Sequence, residues 1–152
     1  MSDLHVIVMD MDGTLLNDNK EVSEYTKNVL RRQKEKGMKI GIASGRPILG
    51  VRRTVENLGL SDIIQFMVAS NGAELYDVSD GEERGFFKLD VNTIFEIIDT
   101  YKHFDLNPYV YQGGDCYAVR NDSTIERAAK NNFLGIHLCD MRKEVTTPQS
   151  KL

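Results

Sequence analysis

The strongest constraint on this fold is a rhythm. Three short, β-rich apolar runs are each cut off by polar residues, with amphipathic helical stretches between them. The first run is His5-Val6-Ile7-Val8-Met9, ending at Asp10. It is apolar on both faces, which predicts a strand covered on both sides, as in a parallel sheet. The second run, Met38 to Ala43, ends at Ser44, and the third, Phe66 to Ala69, runs into Ser70-Asn71-Gly72 and a further strand from Ala73 to Tyr76. Between the first two, Ser23 is placed to cap a helix reaching Lys36, with Gly37 as its stop. Val29 and Leu30 face the core, and Arg31, Arg32, Lys34 and Lys36 form a solvated face. Between the second and third, Gly45-Arg46-Pro47 opens a helix whose stripe is Ile48, Val51, Val55 and Leu58, stopped by Gly59. Strand, helix, strand, helix, strand is the pattern of a parallel α/β sheet with right-handed crossovers.

That unit fills residues 1–80. The acidic segment Asp77 to Gly85 reads as a linker, and beyond it the rhythm changes. Val91, Ile94, Phe95, Ile98 and Tyr101 make one helical stripe. Tyr109-Val110-Tyr111 and Cys116 to Val119 flank Gly113-Gly114-Asp115 as a hairpin, with a helix over Ser123 to Asn132 and a short strand over Ile136 to Cys139. Residues 81–152 are therefore expected to form a separate α+β unit. The alternating tyrosines at 109, 111 and 117 are read as packing its sheet.

Composition removes whole classes of function. A net charge of −4 gives no electrostatic basis for binding nucleic acid or an anionic membrane. No apolar run approaches the ~20 residues that span a bilayer. The segment Met1 to Val8 lacks a basic stretch ahead of a long apolar one, so no secretory signal is expected. Cys116 and Cys139 stand far apart and read as reduced thiols of a cytoplasmic protein. His103 and His137 are read as ordinary surface or helix-end residues without acidic or thiol partners at ligand spacing.

Open α/β sheets bind ligands at the carboxyl ends of their strands, and here those ends carry Asp10 and Asp12, then Ser44, Gly45 and Arg46, then Ser70 and Asn71. Taken singly, Asp12 is a turn residue, Ser44 a helix cap and Asn71-Gly72 a hairpin turn. Taken together, Asp10-Met11-Asp12-Gly13-Thr14 after an apolar strand resembles the first motif of the haloacid dehalogenase superfamily phosphatases. Ser44-Gly45-Arg46 is similar to its second motif. Ser70-Asn71-Gly72-Ala73 resembles a signature of the branch called Cof-type, whose members carry a large α/β cap.

The resemblance implies a Rossmann-like α/β core over 1–80, an incomplete α+β cap over 81–152, and Mg2+-dependent hydrolysis of a small phosphorylated metabolite such as a sugar phosphate. Asp10 would be the nucleophile, ionised at neutral pH without help, and would pass through an aspartyl-phosphate. Asp12 would protonate the leaving oxygen and then deprotonate the attacking water. Asp10 and the Asp12 carbonyl would hold the Mg2+. Met11, Gly13, Ser44, Gly45 and Arg46 would hold phosphate oxygens, although Arg46 is equally placed to brace its loop. The family's later lysine and acidic pair have no counterpart in these 152 residues, and Lys151 matches neither. The chain is thus read either as part of a phosphatase or as a short protein of incomplete machinery, with self-association through exposed core or cap surface expected. A phosphotransferase or phosphomutase, and a non-catalytic binding protein, are the alternatives.

Overall fold

The computed structural model describes residues 5–152, so the part of the leader reading that falls on residues 1–4 lies outside the described residues. The chain divides into two compact units, one running through Arg84 and the other from Gly85. In the first, β1 (Val6–Asp10), α1 (Glu24–Glu35), β2 (Lys39–Ala43), α2 (Ile48–Asn57) and β3 (Phe66–Ala69) follow the expected alternation. A 3₁₀ turn at Ser70–Gly72 leads into β4 (Glu74–Asp77), and β5 (Glu82–Gly85) closes the sheet. Strand order is β1-β2-β3-β4-β5, parallel from β1 to β3 and antiparallel between β3 and β4.

Local chemistry sets these elements. Ser23 accepts the Thr26 amide and so starts α1. The α2 stripe Ile48, Val51 and Val55 is buried against Ile40, Ile42 and Met67 of the sheet, and Leu60, Ile63 and Ile64 close the core below the helix. The basic face of α1 is not purely solvated: Arg31 Nε donates to Asp62 at 2.7 Å and Lys34 to the Asp62 carbonyl, tying the helix to the loop before β3.

Two expectations change. The segment read as a linker is in part sheet: Asp77 accepts from the amide and hydroxyl of Ser79, Asp80 accepts the Glu82 amide, and Arg84 pairs with Asp80 and Glu82. These side-chain bonds fold the turn that lays polar β5 beside β4. Nor is β1 covered on both faces. Among the described residues it pairs only with β2, and its Val6 and Val8 are 46% and 50% exposed while Ile7 and Met9 pack on the core.

In the second unit, Asp90 caps α3 (Val91–Thr100) and Asp122 caps α4 (Ser123–Asn132), each accepting two amides. β6 (Tyr109–Gln112) and β7 (Asp115–Ala118) pair antiparallel across Gly113-Gly114, and β8 (Gly135–Leu138) joins β7 in parallel. Tyr109 and Tyr111 meet edge to face at 5.5 Å beside the Cys116–Ala118–Ile125–Ala129 cluster. On the other side Val110 packs with Met141 and Val145 around a one-turn helix, α5 (Met141–Glu144), which sequence reading had not anticipated.

Candidate active site

Parallel register aligns the strand ends. Asp10 sits opposite Ala43, and Ala43 opposite Val68, so Asp10, Ser44 and Ser70 come out along one edge of the sheet. After Asp10 the chain turns at once. The Leu15 amide donates to the Asp10 carbonyl and the Leu16 amide to that of Met11, at 3.1 and 2.9 Å. Met11, Leu15 and Leu16 are buried and pin the turn to the core, so Met11 has only its backbone to offer a ligand. Gly13 takes φ +79°, which side-chain-bearing residues rarely adopt. Asp10 and Asp12 are left exposed at the tip, and no hydrogen bond or ion pair among the described residues engages the Asp10 carboxylate.

Asp12 is held tightly. The Arg46 guanidinium grips it through two bonds of 2.9 Å, Nε to Oδ2 and Nη2 to Oδ1, and Lys20 Nζ reaches Oδ1 at 3.0 Å. Arg46 is anchored in turn, with Nη1 donating to Thr54 Oγ1. The Arg46 hydrogen bonds, more than any other influence, hold the Asp12 carboxyl below its ordinary range. Burial opposes this and Lys20 reinforces it. Arg46 therefore sits on the carboxylate of the first motif, joining the first two motifs directly.

The second and third motifs are stitched together as well. Ser44 Oγ accepts the Arg46 amide at 3.2 Å, which leaves its own proton to donate. The Ser70 amide donates to the Arg46 carbonyl and that of Asn71 to the Ser44 carbonyl. A Cβ on Gly45 would lie 2.8 Å from Asn71 Oδ1, so a side chain there would push the Asn71 amide aside. Ser70 and Asn71 both adopt left-handed backbone, φ 48° and 56°. Such strain persists only where the surroundings enforce it, and here a residue absent from the sequence reading does so. Glu74 Oε2 accepts the Ser70 hydroxyl at 2.7 Å and the Ile48 amide at 2.9 Å, capping α2 where Pro47 offers no side-chain acceptor. Its only sequence signal is an acidic residue just after a turn.

The second unit corrects one expectation about histidine. His137 does have partners: its Nε2 lies 2.7 Å from Glu144 Oε2, and Cys139 completes a close group. Cys116 and Cys139 are both free thiols. Burial, with Asp115 adding to it, pushes the Cys116 thiol up to about 11. Cys139 is also raised, by burial first and then by the Glu144 and Asp140 carboxylates.

The chain is similar to known proteins in both sequence and fold. A family model described as haloacid dehalogenase-like hydrolase matches residues 7–151. Of curated proteins, the 5-amino-6-(5-phospho-D-ribitylamino)uracil phosphatase YcsE of Bacillus subtilis (strain 168) is 37% identical over 75 residues, 49% of this chain and 29% of that one. Phosphatase YwpJ of the same strain is 26% identical over 118 residues, 78% of this chain and 40% of that one. A crystal structure of a haloacid dehalogenase-like hydrolase from Bacteroides thetaiotaomicron superposes with TM-score 0.84 at 25% identity, over 97% of this chain and 56% of that one. The chain spans less than half the length of the curated relatives it matches. Among the described residues no helix is long and apolar enough to cross a membrane.

Proposed function

This chain belongs to the haloacid dehalogenase-like hydrolases, and from that membership we propose that its first unit carries the nucleophile and acid/base of a phosphatase acting on small phosphate monoesters. The observation that carries the proposal is the contrast between two neighbouring carboxylates. Asp10 is exposed and unengaged among the described residues, while Asp12 is clamped by Arg46 and Lys20. Asp10 is the nucleophile: its oxygen attacks phosphorus, the ester oxygen leaves, and an aspartyl-phosphate forms that water then hydrolyses. An exposed carboxylate and an adjacent turn carbonyl suit Mg2+, which takes oxygen ligands and keeps several waters. The turn's hydrogen bonds use the carbonyls of Asp10 and Met11 rather than that of Asp12, so Asp10 and the Asp12 carbonyl would hold the ion. When bound, it neutralises charge between the carboxylate and the phosphate.

Asp12 must be protonated to serve the leaving oxygen, yet Arg46 favours its ionised form. An arriving phosphate dianion competes for Arg46 and Lys20, and as their hydrogen bonds shift to phosphate the Asp12 carboxyl gains affinity for a proton. Arg46 thereby serves in both roles, bracing Asp12 in the free protein and binding phosphate with substrate. The Ser44 hydroxyl, the Gly45 amide and the backbone of Met11 and Gly13 supply further donors to phosphate oxygens. For substrate, the YcsE relative acts on the phosphate of a ribityl chain, which supports a sugar-phosphate-like monoester. We place the protein in the cytoplasm, and we assign it no nucleic-acid partner.

The test is Mg2+-dependent phosphate release from an aryl phosphate and a panel of sugar phosphates, on this chain and on Asp10→Asn. Release abolished by Asp10→Asn supports the assignment; release that persists in the variant refutes it. A second reading rests on the exposed Val6 and Val8 of edge strand β1: the chain self-associates through that strand. A monodisperse monomer in light scattering at high concentration would count against it.

A further inference from the structure

We propose that His137, Cys139 and Glu144 form a binding site for one zinc-class divalent cation, built wholly from the second unit. The three ligand atoms, an imidazole nitrogen, the Cys139 sulfur and a carboxylate oxygen, all lie within 4.8 Å of one another. Around tetrahedral zinc the metal–ligand bonds of ~2.0–2.3 Å place ligand atoms roughly 3.3–3.6 Å apart. The 2.7 Å contact between His137 and Glu144 must therefore open by roughly 0.6–0.9 Å, a movement that side-chain torsions supply.

The fold explains why these residues converge. His137 lies in β8 and Cys139 just past its end, two positions on, so both side chains leave the strand on the same face. Asp140 then accepts the Arg142 amide and turns the chain into α5. Glu144 is the last residue of that turn, and Met141 and Val145, both buried, fix its place. The Tyr117 ring, on the residue paired with His137 across the sheet, lies 4.4 Å from the imidazole and limits its rotation. Gln112, itself bonded to Gln149, donates to the Glu144 carbonyl at 3.3 Å. This is a supported site rather than a chance meeting of mobile side chains.

The donor set selects the ion. A thiolate and an imidazole favour a borderline-soft cation over magnesium or calcium, and one carboxylate suits zinc without excluding it. Three protein ligands leave a fourth position for water or an exchangeable ligand. His137 and Glu144 are part-exposed, which gives the ion a way in. Binding replaces the His137–Glu144 hydrogen bond with metal bonds. Cys139 releases its thiol proton to solvent as the sulfur–metal bond forms, and His137 binds as neutral imidazole.

The test uses the whole chain, stripped with chelator and titrated with zinc in excess Mg2+ so that sites for hard ions are filled. One equivalent is expected, with affinity falling at least tenfold in Cys139→Ser and in His137→Ala. Cobalt as a spectroscopic stand-in should give a near-ultraviolet thiolate charge-transfer band that Cys139→Ser abolishes. Zinc should also protect Cys139 of the unaltered protein from alkylation, mapped by mass spectrometry, a measurement that needs no variant to fold. Cobalt bound without the thiolate band, alkylation of Cys139 unaffected by zinc, or zinc affinity unchanged in Cys139→Ser would each overturn the proposal.

Discussion

Arg46→Met, Asp12→Asn and the double variant form a thermodynamic cycle that isolates the clamp on Asp12. Two charge-assisted bonds of 2.9 Å in a fork arrangement would each contribute roughly 1.5–3 kcal/mol if fully sheltered. They are not fully sheltered: the Asp12 side chain is 42% exposed, although that of Arg46 is only 15% exposed. Solvent screening pulls the pair toward the exposed range of about 0.2–1 kcal/mol. The anchored, bidentate guanidinium places it near the top, so a coupling of about 1 kcal/mol is expected. The sign with pH follows from the lowered Asp12 carboxyl. Its stabilisation is fully present above the ordinary value of 3.8 and is lost as pH falls through the lower folded-state value. The coupling should thus be intact from neutrality down to pH ~4 and shrink on further acidification. Calorimetry that resolves the melting of the two units is the assay, with Arg46→Met lowering the first unit's transition by at least about 4 °C, since it also loses the bond to Thr54. Coupling below about 0.3 kcal/mol at neutral pH, or coupling untouched by strong acid while the chain stays folded, would refute the assignment of Arg46 to Asp12.

Removing the Glu74 carboxylate (Glu74→Ala) orphans the Ile48 amide and the Ser70 hydroxyl, and should cost about 1–2 kcal/mol in chemical denaturation. Glu74→Gln should recover part of that loss. Gly45→Ala meets only the movable amide end of Asn71 and should cost no more than about 1 kcal/mol, and a second change, Asn71→Gly, should restore most of it because φ 56° suits glycine. Val8→Lys should shift any oligomer to monomer in light scattering while altering stability by no more than about 0.5 kcal/mol.

Elements with their own periodicity and caps were legible from sequence: β3 and α4 have the expected boundaries because apolar spacing, Asp122 and flanking turns agree. What escaped depends on distant partners. β5 has no apolar pattern and is a strand only because the turn at Asp77 and Asp80 delivers it to β4. The run through β1 reads as doubly covered, but coverage is a property of neighbours, and those of Val6 and Val8 leave both about half exposed. Glu74 caps a helix that begins 26 positions earlier. The convergence of three motifs on one edge was readable because parallel strands put their ends together. The grip of Arg46 on Asp12 was not, since it spans 34 positions and depends on rotamers.

The two margins of the first sheet are unlike. β5 presents Glu82, Glu83 and Arg84, charged residues of the kind that repel strand addition, whereas β1 presents valines. A sheet guarded on one side can grow in one direction only. Two copies meeting β1 to β1 about a two-fold axis would consume both unguarded margins and leave a charged rim at each end. Association along this edge would then be a terminating reaction that stops at a pair, because a fibre needs a second unguarded margin.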